Sequence, residues 1–289
     1  MRSSTRHRHE QILAEACAHQ HVSASQLASL LGVSEATVRR DLHALADEGE
    51  LELVYGGASL PRKTSTSFRV KALRNIEAKR AIGRLAADLV ADGDQIFVDS
   101  GTTCFEMAGQ LRRKMGVSLI VNSARLALEL DTPDLEVIML GGQYRPSTMD
   151  TVGPLAMAAL EQLRGYAAFI GADGLSMEFG LTASDIESAH LYRLAVRNAE
   201  RTVLLVDHSK FQAPSLCKIV DFDRVDQVVT DAPPPSRWRE FLDHRNITVI
   251  YPSAGATADG DVSRSSQTLR AGGPALETAA NRSGSETRP

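Results

Sequence analysis

Seven short runs rich in branched and aromatic apolar residues constrain this chain more than any other feature: QIFVD (95–99), SLIVN (118–122), EVIML (136–140), AAFIG (167–171), TVLLVD (202–207), QVVTD (227–231) and ITVIY (247–251). Most are continuous apolar stretches without polar alternation, the pattern of strands covered on both faces. Helical stretches separate them. Ile82, Leu85, Ala86 and Leu89 recur at helical spacing before the turn ADGD (91–94), and residues 153–163 and 186–199 have the same character. Strands and helices in alternation give an α/β domain with a largely parallel sheet. Ligands of such sheets gather at the carboxyl ends of the strands, so the loops that follow the runs are where binding chemistry is expected.

The sheet accounts for only part of the 289 residues, and the length leaves room for a second domain. Its placement follows from charge. The whole chain carries 32 Lys+Arg against 36 Asp+Glu, a net −4, which lacks the overall basic footprint of many nucleic-acid binders. Residues 61–80, however, hold seven Lys/Arg and the single acid Glu77, next to the Pro/Ser/Thr/Gly-rich run GGASLPRKTSTS at 56–67. That composition reads as an exposed linker, and the expected organisation is a first domain over 6–60, a basic linker over 61–74, an α/β domain over 75–251 and a tail over 252–289. The tail lacks apolar periodicity and is expected to be disordered.

Cys17, Cys104 and Cys217 are widely spaced and belong to no C-x-x-C pair, and His7, His9 and His43 lack ligand spacing, so neither a disulfide framework nor a metal is expected. The longest apolar runs, such as Val203–Val206, fall far short of a membrane span, and no apolar leader follows the amino terminus. A cytoplasmic protein without a cofactor is expected.

Residues 10–60 read as three short helices and a two-stranded segment. Ile12, Leu13 and Ala16 mark the first. The second opens after Ser23, where S-x-x-Q is a capping-box pattern, and stops at Gly32; the third opens at Ser34 and buries Val38, Leu42 and Leu45. Only Gly32 and Val33 separate the second helix from the next cap, which demands a sharp helix-turn-helix corner. A rotation of 100° per residue puts Ala36, Arg40 and His43 opposite the apolar stripe, with Thr37 and Arg39 on its flanks. A small residue beside two arginines suits a helix that enters the major groove, and Ser34, Ala36, Thr37, Arg39, Arg40 and His43 are the candidate DNA contacts. A helical hairpin on an enzyme, with Arg39 and Arg40 merely solvated, has the same local pattern.

A longer string separates the two readings. VSASQLASLLGVSEATVRRDLHALADEGELELVYGGA (22–58) resembles the amino-terminal domain of the DeoR family of bacterial transcriptional regulators, covering caps, turn, recognition helix and wing in one register. The resemblance implies a winged helix-turn-helix domain and sequence-specific binding of double-stranded operator DNA by an oligomer, a dimer or a tetramer, with Thr37, Arg39 and Arg40 as matched recognition residues.

In the α/β part, Asp99-Ser100-Gly101-Thr102-Thr103 follows a strand and opens a helix expected over 102–114. Small residues there free backbone amides and add hydroxyls, which suits a phosphate. The nucleotide patterns G-x-x-x-x-G-K-[ST] and G-x-G-x-x-G are absent. Asn122-Ser123, Gly141-Gly142-Gln143, Gly171-Ala172-Asp173-Gly174 and Asp207-His208-Ser209-Lys210 punctuate other strand ends, and together they suggest one crevice in which Lys210 meets the phosphate and Asp99 or Asp207 accepts sugar hydroxyls.

This region also resembles the sensor domain of the DeoR family, through EAKRAIGRLAADLVADGDQIFVDSGTT (77–103), the pair Gly141-Gly142, FIGADG (169–174), GLT (180–182) and DHSKF (207–211). The resemblance implies a fold similar to the ribose-5-phosphate isomerase and coenzyme A transferase superfamily and a phosphorylated sugar-like effector. Asp99, Ser100, Gly101, Thr102, Thr103, Asn122 and Lys210 carry over by motif, and Gly141, Gly142 and Asp173 complete the candidate set. Three positions depart from the family: Tyr166 where Asp is frequent, Tyr192 where Lys is, and Val121 where Thr is. The expected function is therefore a transcriptional repressor of carbohydrate genes released by a phosphorylated metabolite. The alternative is a sugar-phosphate isomerase with an accessory domain. It requires a carboxylate base, for which Asp99, Asp173 and Asp207 are available, but no distinct catalytic pair stands out.

Overall fold

The computed structural model describes residues 2–61 and 67–253; residues 62–66 of the expected linker and 254–289 of the expected tail lie outside this range. The first domain comprises α1 (Arg2–His19), β1 (His21–Ser23), α2 (Ala24–Leu31), α3 (Glu35–Asp47), β2 (Glu52–Val54) and β3 (Gly57–Ser59). Its helices form where the caps direct. Ser23 Oγ accepts the Gln26 amide at 3.2 Å, Ser34 Oγ accepts the Thr37 amide at 3.2 Å, and Gly32 closes α2 in the left-handed region at φ 65°. Ile12, Leu13, Ala16, Leu27, Val38, Leu42 and Leu45 bury together as the apolar spacing requires.

The wing has three strands where two were expected, in the order β1-β3-β2, because His21–Ser23 pairs antiparallel with Gly57–Ser59. Gly57 makes that pairing possible: a Cβ there would stand 1.9 Å from the Val22 carbonyl oxygen. The same pairing draws Gly57, Ala58 and Leu60 into the interior, so the front of the expected exposed linker is folded.

Beyond residue 66 the chain does not run free. Residues Phe68–Leu73 form α4, capped by Ser67, and α5 (Ile76–Ala87) follows at once. All seven expected strands are present as β4 (Gln95–Val98), β5 (Val117–Val121), β6 (Leu135–Met139), β9 (Ala167–Gly171), β12 (Arg201–Leu205), β14 (Gln227–Val229) and β15 (Thr248–Ile250). They make one sheet, every pair parallel, in the order β15-β14-β12-β9-β4-β5-β6. The remaining strands are small antiparallel pieces: β7 (Gln143–Arg145) with β8 (Asp150–Val152), and β10 (Gly174–Ser176) with β11 (Gly180–Ala183) and β13 (Cys217–Lys218). The helix expected over 102–114 is two short ones, α6 (Thr102–Phe105) and α7 (Ala108–Leu111), and α8 (Ala124–Glu129), α9 (Pro154–Leu160), α10 (Ile186–Asn198) and α11 (Ser236–Asp243) complete the domain.

Two apolar layers sandwich the sheet. Ile82, Ala86, Met107, Leu111 and Leu126 cover one face, and Ala156, Leu160, Leu191, Leu194, Trp238 and Leu242 cover the other. The chain moves outward from β4 through β5 to β6, then returns to the other side of β4 and proceeds through β9, β12, β14 and β15. Strand order therefore reverses between β4 and β9, and an open crevice must form beyond their carboxyl ends. Of the departures, Tyr166 is a core residue whose hydroxyl donates to the Ala195 carbonyl at 3.0 Å, and Val121 is fully buried in β5.

Candidate functional site

At the reversal the sequence places Asp99 after β4 and Gly171 at the end of β9. The Asp99 carboxylate spans them: Oδ1 accepts the Gly101 amide at 2.6 Å and Oδ2 accepts the Gly171 amide at 2.5 Å. Burial pushes the Asp99 carboxyl up, and these amides oppose the shift. With both oxygens engaged, Asp99 fastens the two strand ends together.

The crevice beyond has a volume of about 280 Å³, the size of a small metabolite. Asp99, Ser100, Gly101, Thr102, Thr103, Asp173 and Lys210 all line it. Asn122 does not; it is wholly buried behind the wall, with Nδ2 donating to the Thr151 carbonyl at 3.1 Å. Gly141 and Gly142 are also outside the wall, in the connection from β6 to the β7–β8 hairpin. That hairpin brings in residues that no sequence pattern singled out. Arg145 donates to Asp150 at 2.8 and 2.6 Å, to Asp185 at 2.8 Å and to Ser188 Oγ at 3.0 Å. Burial alone would weaken its hold on the proton, but the bonds to and charge of Asp150 and the charge of Asp185 raise it further, so it is a permanent cation.

Hydrogen-bond direction divides the crevice chemically. Ser100 Oγ donates to Asp150 Oδ2 at 2.9 Å and lies 2.8 Å from the Tyr192 hydroxyl, so the tyrosine proton points to Ser100. Burial and the charge of Asp99 push the Tyr192 phenol well up, which keeps that proton in place. Both hydroxyl protons are committed, and this end offers acceptors, suited to sugar hydroxyls. Apart from Arg145, whose guanidinium is engaged by Asp150, Asp185 and Ser188, the donors lie elsewhere. Thr102 and Thr103 open α6, where amides lack intrahelical acceptors, and Lys71, Arg74, Lys79 and Lys210 approach from other elements.

Two of those cations, Lys71 and Arg74, belong to the stretch that reads as a linker, and Lys79 follows it in α5. Lys71 Nζ donates to Asp173 Oδ1 at 2.9 Å, while Asp173 Oδ2 accepts the Ser184 amide at 2.8 Å. Burial would raise the Asp173 carboxyl, but the Lys71 charge prevails and holds it below the usual range. Asp207 behaves likewise: burial is outweighed by bonds from Ser209 and Asn75 and by the charge of Lys210. Basic composition marked these lysines, but nothing local in the sequence told that the chain folds back over the crevice.

In the first domain, α3 exposes Ala36, Arg39, Arg40 and His43, with Thr37 partly covered and Ser34 at the cap. Ser34 Oγ lies 3.0 Å from Thr37 Oγ1, and Arg39 reaches Glu35 at 3.1 Å. Behind α3, Asp41 is buried under α1, where Arg8 Nη2 donates to it at 2.9 Å and His9 lies 3.1 Å away. Burial would raise Asp41, and the bonds from Arg8 and His9 bring it below its ordinary value. At the wing tip between β2 and β3, Tyr55 stands fully exposed, a feature that sequence reading passed over.

The fold and sites define a two-domain protein that joins a winged helix-turn-helix to an α/β domain with a binding crevice at its switch point. Residues 8–64 match the DeoR-like helix-turn-helix domain and residues 74–232 match the DeoR C terminal sensor domain. The chain is 34% identical over 232 residues to the HTH-type transcriptional regulator GlpR of Haloferax volcanii, covering 79% of this chain and 90% of that one. It is 31% identical over 256 residues to the HTH-type transcriptional repressor CsqR of Escherichia coli, covering 86% and 96%. The glycerol-3-phosphate regulon repressor of Escherichia coli is 29% identical over 229 residues, covering 78% and 91%. Among solved structures, ribose 5-phosphate isomerase A of Methanocaldococcus jannaschii is similar over 47% of this chain and 54% of its own, at 20% identity and a TM-score of 0.35. The chain belongs to the DeoR family of transcriptional regulators. Its relatives are regulators by name, which decides against the isomerase alternative.

Proposed function

We propose that this protein is a cytoplasmic repressor whose affinity for operator DNA is set by a phosphorylated sugar-like metabolite. In this reading residues 6–60 bind DNA as part of a dimer or tetramer, and residues 75–251 bind the effector. Thr37, Arg39 and Arg40 contact the operator, with Ser34, Ala36 and His43 beside them. The observation that carries the effector assignment is the division of the crevice: acceptors at Ser100 and Tyr192 on one side, and Thr102, Thr103 and four cations on the other. A molecule with hydroxyls at one end and a phosphoryl group at the other matches both. Asn122, Gly141 and Gly142 act behind the wall, by holding the strand end and the hairpin that supplies Arg145.

A thermal-shift screen of triose, pentose and hexose phosphates with their unphosphorylated parents tests this. A ligand that binds the folded state at 100 times its Kd adds about 2.7 kcal/mol of apparent stability. The phosphorylated member of one pair is expected to raise Tm and to weaken DNA retention. Equal shifts from an unphosphorylated parent would overturn the phosphate assignment.

A further inference from the structure

α4 has two faces with different owners. Phe68, Lys71 and Arg74 recur every three residues on it and its carboxyl cap, and all three line the crevice. Val70 and Leu73 lie on the opposite side and pack into the core of the DNA-binding domain, where Val70 is completely buried and its carbonyl accepts from Cys17 Sγ of α1 at 3.5 Å. Further ties run to the same domain: Ser67 Oγ bonds Glu50, and Arg69 pairs with Glu48 at 3.0 Å. Towards the sensor, Lys71 pairs with Asp173, Lys79 Nζ bonds the Lys71 carbonyl, and Phe68 meets the edge of Phe105 with ring centroids 5.6 Å apart. Lys71 and the cap residue Arg74 thus reach the crevice from the same six-residue helix whose other side seats α1.

A ligand shifts a conformational equilibrium only by the difference in its contacts with the two states. Those contacts must reach something that both domains share. Resting on the effector reading above, we infer that α4 is itself a wall of the effector site: Lys71, held by Asp173 in this structure, takes the anionic group of the ligand together with Arg74, and α4 carries that change directly into the DNA-binding domain. The sensor therefore acts on the recognition helices through a packed helix and not through a flexible tether. Lys79 supports this assignment. Its Nζ bonds the Lys71 carbonyl beside Arg74 and Lys210, so three cations gather at the carboxyl end of α4, and burial pushes Lys79 down to about 8.

Hydrogen exchange on the full-length protein tests the inference, with inorganic phosphate, glycerol 3-phosphate and ribose 5-phosphate as probes and chloride at matched ionic strength as reference. Any probe that slows exchange at 99–103 is expected to change it severalfold at 67–74 and in α1 as well. Lys71→Met is expected to weaken binding and, at probe concentrations raised until 99–103 is again protected, to lose the response in α4 and α1, and Lys71→Arg to restore both. Protection at 99–103 with α4 unchanged in the unmodified protein would overturn the inference and leave the effector site standing. Protection of neither segment by any of the three probes overturns both.

Discussion

Lys79 is 4% exposed, and the groups around it pull in opposite directions: burial lowers its pKa most, Asp207 raises it, Lys210 and Arg74 lower it, and Glu106 raises it, for a value of about 8. An incoming phosphoryl group can only raise that value. Binding then takes up a proton at pH values above about 8, where the free protein has lost it and the complex has not. Effector affinity is accordingly expected to be flat from neutrality up to this point, above the phosphoryl group's own second ionisation at about 6, and to fall as pH rises through it, by up to about tenfold per unit. Titration calorimetry in buffers of different ionisation enthalpy reads both the affinity and the proton. A profile that stays level from neutrality to well above 8 would remove Lys79 from the anion's surroundings. On the other side of the crevice, Tyr192→Phe deletes the donor to Ser100 and little else, at a cost of about 1 kcal/mol in stability. Its expected signature is weaker binding of the sugar phosphate with unchanged binding of inorganic phosphate, and an equal loss for both would refute the division of the crevice into two ends.

Elements were legible in proportion to the length and repetition of their apolar signal. Each strand of the main sheet is a run of three to five residues that branched side chains announce, mostly buried in the inner strands and partly or fully exposed in the edge strands β6 and β15, and α2 and α3 carry an apolar stripe with a serine cap. β1 offered no such signal: of His21, Val22 and Ser23 only Val22 is apolar, and the strand exists because β3 lies beside it. The pairing depends on Gly57, so Gly57→Ala is expected to destabilise the first domain by about 2 kcal/mol, seen as an early transition in a thermal melt. An unaltered melt would mean that the wing yields freely around the added methyl. α4 was hidden for a different reason. Its six residues are too few for periodicity, and its basic side chains read as solvated when in fact Lys71 reaches Asp173 in the crevice, 102 residues away in sequence, and Arg69 pairs with Glu48. The loop after β4 was legible because its chemistry is local, whereas Arg145 and Asp150 reach the site only through a hairpin fixed by tertiary packing. Within α3 the two arginines also separate. Arg39 spends part of its reach on Glu35, so Arg40→Ala should cost specific DNA binding more than Arg39→Ala does, roughly 1–3 kcal/mol by anisotropy titration against competitor DNA. The reverse order would reassign the base contact to Arg39.

For the whole molecule, the folded position of the basic stretch changes what its charge is for. Seven Lys/Arg between 61 and 80 on a chain of net charge −4 invite the view that this segment clamps DNA phosphates. Lys71, Arg74 and Lys79 instead face the crevice, Arg69 is paired with Glu48, and Arg80 with Glu77 at 2.8 Å. Among the described residues the cations left to the operator are few, chiefly Arg39 and Arg40 of α3, and Arg62 and Lys63 lie outside that range. Each phosphate neutralised adds about −0.9 to the slope of log affinity against log salt, so each subunit is expected to contribute about −3 or less. Effector should lower the affinity without changing that slope if it reorients the recognition helices, because the same side chains then meet DNA in fewer molecules. If effector instead steepens or flattens the slope, cations are being added to or removed from the interface, and the crevice lysines would be exchanging ligand for DNA. Anisotropy titrations over a range of chloride concentrations, with and without the metabolite, distinguish the two: parallel lines displaced in affinity are the expected result, and converging lines would replace reorientation with direct electrostatic competition.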